Sequence, residues 1–220
     1  MEENRTKTNE NKIEGRNAVL EAFRSGKPVD KLYVLDGCQD GPVRTIIREA
    51  RKHDTLIQFV EKERLSQLSE TGHHQGVIAF TAAYEYSEVS DMLELARKKG
   101  EDPFLILLDN IEDPHNLGAI IRTANLAGAH GVIIPKRRAV GLTATVAKTS
   151  AGALNYTPVA KVTNLKKTME DLKKEGLWFV CADMGGEKMY DLNLTGPIGL
   201  VIGNEGEGVS RLVRETCDFI

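Results

Sequence analysis

The stretch FLILLDNIEDPHNLGAIIRTANL, residues 104–126, decides the fold of this chain. It opens with an apolar run that ends in a polar turn containing Pro114, which is typical of a buried strand. Apolar residues then recur at the spacing of an α-helix, at positions 117, 120, 121, 124 and 126. The pattern therefore predicts a strand, a loop and a helix, with Asn116 at the start of the helix and Arg122 about two turns further on.

Polar residues in this loop are predicted to lie at the carboxyl end of a parallel strand, where open α/β sheets bind their ligands. Arg122 carries a charge that it cannot lose, and Asn116 adds an amide that both donates and accepts hydrogen bonds. Together these groups suit a phosphate or another anion. Two plainer interpretations stay open here: Asn116 as a helix cap only, and Arg122 as a member of a surface ion pair.

A second polar loop, GNEGEG at residues 203–208, follows another apolar run. Its glycines allow positive φ angles and a close approach of the backbone to a ligand. The glycine spacing is not that of a dinucleotide-binding loop, and no phosphate-binding lysine follows, which disfavours a dinucleotide-dependent dehydrogenase. Because Glu205 and Glu207 would repel a pyrophosphate, the loop suits a ligand with a positive centre or hydroxyl groups. A tight turn that needs glycines is the alternative.

Strands alternate with helices throughout residues 101–220, which predicts an α/β domain with a parallel sheet covered on both faces. The predicted strands are Phe104–Asp109, Gly131–Ile134, Leu177–Ala182 and Ile198–Ile202. The predicted helices cover about 116–127, 143–149, 165–175 and 208–215.

Residues 13–82 are predicted to form a smaller α/β sandwich, because short strands again alternate with amphipathic helices. The predicted strands are at 31–35, 55–60 and 75–81, and the predicted helices at 15–23, 42–53 and 61–69. The almost entirely polar segment 1–12 is interpreted as a disordered arm. Residues 83–100 are interpreted as a polar linker and a connecting helix, which Ser90 caps and Gly100 ends.

The bulk composition is that of an ordinary globular protein. No apolar run reaches the roughly 18 residues of a membrane span and no signal peptide is visible, so a cytoplasmic location without a membrane partner is expected. Cys38, Cys181 and Cys217 are far apart and odd in number, and therefore neither a metal site nor a disulfide framework is expected. The net charge of −3 argues weakly against nonspecific binding of nucleic acid.

The two polar loops resemble the first two motifs of a known enzyme family. Asn116, Arg122, Thr123 and Ala124 sit as in the first motif of the SpoU/TrmH ribose 2'-O-methyltransferases, within the SPOUT superfamily, and residues 200–209 resemble the second motif. The resemblance covers nearly the whole chain and is in particular to the RlmB type, which methylates a guanosine ribose in large-subunit (23S) ribosomal RNA. It implies a SPOUT α/β domain with a deep trefoil knot, preceded by an RNA-binding domain similar to a ribosomal protein.

The resemblance also implies roles for individual residues. In the family the second loop binds S-adenosyl-L-methionine, and the active site is built at the two-fold interface of a homodimer. Glu205 would be the catalytic carboxylate, Asn116 would orient Arg122 or the ribose, and Arg122 would stabilise the alkoxide rather than remove the proton, because arginine keeps its charge. Leu200, Val201, Ile202 and Gly203 would contact the cofactor mainly through the backbone. The other implied cofactor contacts are Asn204, Gly206 and, in a loop that resembles the family's loop beside the adenosine, Asp183, Met184 and Gly185. A glycine turn is the alternative for that loop.

Two clusters of basic side chains are candidate RNA contacts. The first comprises Arg44, Arg48 and Arg51 on one predicted helix, with Lys52 beside them. The second is Lys136, Arg137 and Arg138, directly after a predicted strand. A solvated surface is the alternative for each cluster. Function is favoured for the second, because it follows a strand on the side expected to hold the active site.

The family's third motif, which carries a serine and an asparagine, has no match in this sequence, which stops at Asp218-Phe219-Ile220. The favoured interpretation is that a tail follows residue 220. An intact mass near 24.3 kDa for active protein would contradict this interpretation. The alternative is a noncatalytic RNA-binding protein of the same fold, which calorimetry with S-adenosylmethionine would distinguish. Transfer RNA is the alternative substrate, although the amino-terminal domain favours ribosomal RNA by analogy with the family.

Overall fold

The computed structural model describes residues 12–38 and 40–220. The chain divides into an amino-terminal unit, which ends at Glu85, and a carboxyl-terminal unit, Tyr86–Ile220. Most of the predicted arm, residues 1–11, lies outside the described residues. Its last residue, Lys12, begins the first strand.

The amino-terminal unit is an α/β sandwich, as the sequence predicts. Its elements are β1 (Lys12–Glu14), α1 (Arg16–Arg24), β2 (Val29–Leu35), α2 (Gly41–Lys52), β3 (Leu56–Val60), α3 (Lys62–Leu68) and β4 (Val77–Thr81). Within the described part of this unit the sheet order is β1-β4-β2-β3, and β2 pairs with β3 in parallel while the other neighbours are antiparallel. One core joins α1 and α2 to the sheet, and a smaller one joins α3 to the other face.

Helix α2 shows how the sequence sets the exposed surface of this unit. The side chain of Asp40 accepts a hydrogen bond from the Val43 N–H and caps the helix. Val43, Ile46 and Ala50 recur at helical spacing and are fully buried against the sheet. The stripe on the solvent side of the helix therefore carries the arginines of the first basic cluster.

Strand β1, which the sequence analysis did not predict, is held by the carboxylate of Glu14. This carboxylate accepts hydrogen bonds from Ser69 Oγ at 2.6 Å, the Glu70 N–H at 2.7 Å and Thr71 Oγ1 at 2.6 Å. Burial acts to raise the pKa of Glu14, but these hydrogen bonds outweigh burial and lower it to about 2. A group whose pKa falls on folding stabilises the fold above its ordinary pKa of 4.5 and loses that effect as the pH falls toward 2.

Substituting Glu14→Gln is therefore expected to destabilise the amino-terminal unit at neutral pH. The difference from wild type should shrink as the pH falls from about 4.5 toward 2, because the native carboxyl group then becomes protonated as well. Hydrogen exchange of the β1 and β4 amides measures this difference, provided that each exchange rate is expressed relative to the intrinsic rate at the same pH. Glu63→Gln, on the exposed part of α3, is the control. A Glu14→Gln effect that stays constant across this pH range would contradict the assignment.

The carboxyl-terminal unit contains the predicted parallel sheet. Its elements are α4 (Val89–Lys99), β5 (Phe104–Leu108), α5 (Pro114–Leu126), β6 (Gly131–Pro135), α6 (Ala144–Thr149), β7 (Val159–Val162), α7 (Leu165–Lys174), β8 (Trp178–Ala182), β9 (Ile198–Ile202) and α8 (Arg211–Arg214). Within residues 86–220 the strand order is β7-β6-β5-β9-β8, and every pair is parallel. The short edge strand β7 was not predicted, and α8 is shorter than the predicted helix.

The starts of two helices differ from the sequence prediction. Asp113 caps α5, because its carboxylate accepts a hydrogen bond from the His115 N–H at 2.7 Å. Asn116 therefore lies inside the first turn and is not the cap. Ser90 likewise lies inside α4, whose start is stabilised by the Asp91 carboxylate accepting the Glu88 N–H. The predicted end of α4 is confirmed, since Gly100 adopts the left-handed conformation there.

No helix among the described residues is both long enough and apolar enough to cross a membrane. The trefoil knot implied by the family resemblance stays a prediction.

Candidate functional site

The register of the sheet brings three polar loops together at the carboxyl ends of the strands. Leu108 at the end of β5 pairs with Ile202 at the end of β9, and Ile202 also pairs with Ala182 at the end of β8. The loops that begin at Asp109, Asp183 and Gly203 therefore leave neighbouring strands at the same level. From β5 the chain continues to β6 on one side of that strand, whereas β9 pairs with its other side. The strand order therefore reverses at β5, and open α/β sheets bind ligands at such a reversal.

A hydrogen bond joins the first loop region to the second. Asn116, in the first turn of α5, donates from Nδ2 to Oε1 of Glu205 at 2.7 Å. Glu205 is exposed and Asn116 is half-buried, so the carboxylate remains accessible to a ligand. The structure thus brings together two of the three residues predicted to be catalytic.

Arg122, the third predicted catalytic residue, lies apart from this pair within the subunit. It follows Asn116 by six positions on α5, which corresponds to about 9 Å along the helix axis. Its side chain is exposed, and no hydrogen bond or ion pair joins it to another residue in the described ranges 12–38 and 40–220. The predicted hydrogen bond from Asn116 to Arg122 is absent from these ranges, and the amide of Asn116 is directed to Glu205.

The glycine-containing loop 203–208 is closed by its own backbone. The Asn204 N–H donates to the Gly208 carbonyl at 3.1 Å, and the Gly208 N–H donates to the Asn204 carbonyl at 2.8 Å. Inside this ring, Oδ1 of Asn204 accepts the N–H groups of Gly206 at 2.8 Å and Glu207 at 3.3 Å. Asn204, one of the predicted cofactor contacts, therefore uses its side chain to shape the loop.

Two glycines are required by this closure. A Cβ atom on Gly203 would lie 2.2 Å from the carbonyl carbon of Gly208, which backbone atoms cannot accommodate. Gly208 itself has a φ angle of +67°, a conformation that favours glycine. The tight turn considered as an alternative is therefore present, and it shapes the same loop that carries Glu205.

Asp109, which was not among the predicted site residues, holds the two loops together. Asp109 is buried, and its Oδ2 accepts a hydrogen bond from the Ser210 N–H at 2.8 Å. Its own N–H donates to the Ile202 carbonyl at 2.9 Å. A second link runs from Nδ2 of Asn204 to the Asn110 carbonyl at 3.2 Å. The available signal was a carboxylate placed directly after an apolar strand.

The third loop, which begins at Asp183, is anchored by charge. Oδ2 of Asp183 pairs with Nε of Arg214 at 2.8 Å, and its Oδ1 accepts the Met184 N–H at 2.7 Å. Met184 projects into solvent with 93% of its surface exposed, and Gly185 has a φ angle of +86°. Arg214 was missed by the sequence analysis, because only the fold brings its helix to this loop.

A cavity of about 490 Å³ lies between this third loop and strands β8 and β9. Its wall is mainly apolar, and Asp183 and Glu187 add carboxylates. Of the cofactor contacts predicted in β9, Leu200 lines the cavity. Val201 is fully buried in the core, and Ile202 is half-buried and lies outside the cavity lining. Burial raises the pKa of Cys181, which also lines the cavity, and its thiol therefore stays protonated and unreactive at neutral pH.

The second basic cluster follows β6, and it therefore also lies at the carboxyl ends of the strands. Arg137 and Arg138 are exposed, and Arg138 has a φ angle of +55°. Lys136 is half-buried, and its N–H donates to the Val162 carbonyl at 2.8 Å. The first basic cluster belongs to the amino-terminal unit. No group of three or more His, Cys, Asp or Glu side chains able to hold a metal ion occurs in the described part of the chain.

Two family models match this chain in order. Residues 12–87 match the model for RNA 2'-O ribose methyltransferase substrate binding, and residues 103–220 match that of the SpoU rRNA methylase family. The chain belongs to the SpoU rRNA methylase family. It is 49% identical over 208 residues to YacO of Bacillus subtilis, which is assigned to the TrmH family of tRNA/rRNA methyltransferases. This alignment covers 94% of the chain and 83% of the relative.

Other members of the family agree in sequence and in fold. A TrmH-family protein of Staphylococcus epidermidis is 44% identical over 208 residues, covering 94% of this chain and 83% of its own. Among solved structures, the SpoU methyltransferase AviRb of Streptomyces viridochromogenes, in complex with AdoMet, superposes with a TM-score of 0.55. That likeness, at 24% identity over 94% of this chain and 78% of the other, shows the shared fold.

Proposed function

We propose that this protein transfers a methyl group from S-adenosyl-L-methionine to the 2'-hydroxyl of a guanosine ribose in large-subunit ribosomal RNA. The observation that carries the proposal is the Asn116–Glu205 hydrogen bond, which joins the two motif regions at the reversal of strand order. Membership of a family of RNA methylases gives the reaction class.

The residues around the cavity beside β8 and β9 fit the methyl donor. Its volume of about 490 Å³ is typical of a site for a small molecule, and its apolar wall suits an adenine ring. The carboxylates of Asp183 and Glu187 suit hydroxyl and cationic groups, although Asp183 is also paired with Arg214. When bound, S-adenosylmethionine supplies a methyl group on a positively charged sulfur. Leu200, Gly203 and Gly206 would hold it, mainly through the backbone.

The protein's own residues would act on the ribose. A 2'-hydroxyl is weakly acidic, so a fixed positive charge that stabilises the developing alkoxide favours the reaction. Arg122 would supply this charge and grip the adjacent phosphate. Asn116 would hold the carboxylate of Glu205 in place, and Glu205 would accept a hydrogen bond from the ribose.

A second copy of the chain would complete the site in a homodimer. Arg122 has no partner among the described residues of its own subunit, and it lies on the same helix as Leu126, whose side chain is 83% exposed. Tyr156 is also 78% exposed. Large apolar side chains left in water favour a covered interface. The guanidinium of one subunit would then reach the Glu205 loop of its partner.

Ribosomal RNA is proposed over transfer RNA because the chain carries a dedicated substrate-binding domain in addition to the catalytic one. The second basic cluster would contact the RNA backbone at the carboxyl ends of the strands, where the site lies, through Lys136, Arg137 and Arg138.

The proposed function is tested by methyl transfer from isotope-labelled S-adenosylmethionine to RNA of cells that lack the protein. Wild type is expected to label large-subunit ribosomal RNA at one ribose and to leave transfer RNA unlabelled, and mass mapping locates the nucleoside. Glu205→Ala is expected to lose this activity with an unchanged melting temperature, because Glu205 is exposed and contributes little to the core. Labelling of transfer RNA, or full activity of the variant, would overturn the substrate or the site assignment respectively.

A further inference from the structure

The amino-terminal unit contains a groove that the catalytic site does not use. It has a volume of about 510 Å³ and lies where the end of β2, one side of α2 and the edge strand β3 meet. All of it belongs to the amino-terminal unit. Its lining residues are Asp36, Gly37, Cys38, Arg44, Ile47, Arg48, Arg51 and Phe59.

One wall of the groove is a row of arginines. Arg44, Arg48 and Arg51 are spaced by four and three positions, which places them on one stripe of α2. All three are exposed. Within residues 12–38 and 40–220, Arg44 and Arg51 form no ion pair, and Arg48 only approaches Glu49, with 3.9 Å between Nε and Oε1. A row of exposed guanidinium groups, two of them without an ion pair in these ranges, suits a chain of phosphates.

The lining of the groove also includes an aromatic ring that is half exposed to water. Phe59 is 50% exposed on β3, the edge strand of the sheet. Strand alternation directs it to the same face as Ile57, which packs against the core that α2 covers. Edge strands usually avoid exposed apolar side chains, because these promote aggregation. An exposed ring beside a basic stripe is instead typical of a surface on which an RNA base stacks.

The lining distinguishes a nucleotide from a simple anion. Asp36 contributes a carboxylate that would repel an isolated phosphate, and Ile47 and Phe59 contribute apolar surface that a phosphate cannot use. An unpaired nucleotide has a partner for each group: a ring for Phe59, base N–H groups for Asp36 and phosphates for the arginines. Bases in a duplex are already stacked and would not reach Phe59.

We propose that this groove binds an unpaired nucleotide of the RNA substrate, with its base on Phe59 and its flanking phosphates on Arg44, Arg48 and Arg51. The inference rests on the proposed function in one respect, namely that the ligand of this chain is RNA. It assigns the amino-terminal unit a preference for single-stranded over duplex segments.

The first test uses the full chain and a fluorescein-labelled oligouridylate of about 12 nucleotides, alone or annealed to oligoadenylate. Phe59→Ala is expected to weaken binding of the single strand about tenfold, because stacking on one ring contributes about 1–3 kcal/mol per base. The affinity of this variant for the duplex should stay within about twofold of wild type. Phe59→Tyr should restore the affinity for the single strand. Leu212→Ala removes an apolar side chain of similar exposure, 53%, from the other unit and is the control.

The arginines are tested through the salt dependence of single-strand binding. Arg44→Ala and Arg51→Ala are each expected to reduce the slope of log affinity against log salt by about 0.7, as one phosphate contact is lost. Arg64→Ala is the matched control, because Arg64 is an exposed arginine on α3, against the other face of the same sheet. Equal effects of all three substitutions would indicate a diffuse surface charge and would overturn the assignment.

Direct contact is tested by cross-linking an oligouridylate that carries 4-thiouridine and identifying the attached tryptic peptide. The peptide His53–Lys62, which contains Phe59, is expected to carry the cross-link. Cross-links confined to other peptides, or unchanged affinity of Phe59→Ala, would overturn the proposal, as would a change of oligomeric state in that variant instead of RNA affinity. These measurements need no methyl donor, so a failure of methyl transfer alone leaves the groove assignment standing.

Discussion

Arg122→Ala is expected to slow methyl transfer about 100- to 1,000-fold at saturating RNA, which is the usual effect of removing one group that stabilises a developing oxyanion. The fold should be unaffected, because the side chain is exposed and forms no hydrogen bond or ion pair in the described part of the chain. Single-turnover incorporation of labelled methyl groups measures the chemical step, and circular dichroism measures the melting temperature. Arg122→Lys should recover part of the rate, since it keeps the charge but not the two-pronged geometry.

A matched control separates this effect from a general loss of positive charge. Arg97→Ala removes an exposed arginine from α4 that pairs with Glu175 at 3.4 Å, and it should keep the wild-type rate. Mixing Arg122→Ala with Glu205→Ala then tests the two-subunit site. If Arg122 of one subunit serves Glu205 of the other, mixed dimers regain one intact site and a measurable part of the activity. Wild-type turnover by Arg122→Ala would refute its catalytic role, and mixtures without recovered activity would refute the shared site.

Gly203→Ala is expected to abolish detectable binding of S-adenosylmethionine and, with it, methyl transfer. The added methyl group would lie 2.2 Å from a backbone carbon of Gly208, so the ring that closes the loop must open. Calorimetry with the methyl donor measures the loss directly. Hydrogen exchange of the loop amides should rise in the variant, because the N–H groups of Asn204 and Gly208 lose their acceptors.

Gly41→Ala is the matched control for this substitution. Gly41 is the first residue of α2, its φ angle is not positive, and a Cβ atom there meets nothing within 4 Å. The same chemical change should therefore leave binding of the methyl donor unaltered. If Gly203→Ala binds the donor as wild type does, the loop is not part of the cofactor site.

Much of the architecture could be predicted because burial leaves a strong pattern in the sequence. The apolar runs of β5, β8 and β9 identify strands covered on both faces, and helical spacing identifies α2 and α5. Strand β1 was missed because its three residues adjoin a charged segment, and β7 because it is short and half-buried. Their pairing depends on distant partners, which local pattern does not reveal.

The candidate site was predictable in part for a similar reason. Asn116 and Glu205 belong to motifs whose loops leave adjacent strands, so parallel pairing brings them together. The separation of Arg122 from this pair follows from helix geometry, and the partner proposed for it belongs to a second subunit. The roles of Asp109 and Arg214 could not be predicted, because they depend on contacts to Ser210 and Asp183, which are distant in sequence.

The self-bonded ring of residues 203–208 has a consequence for the thermodynamics of recognition. Because Asn204 already satisfies the amides of Gly206 and Glu207, the conformational entropy of this segment is lost during folding and not during the encounter with a ligand. Preorganisation of this kind favours an association rate limited by diffusion and a small loss of disorder on complex formation.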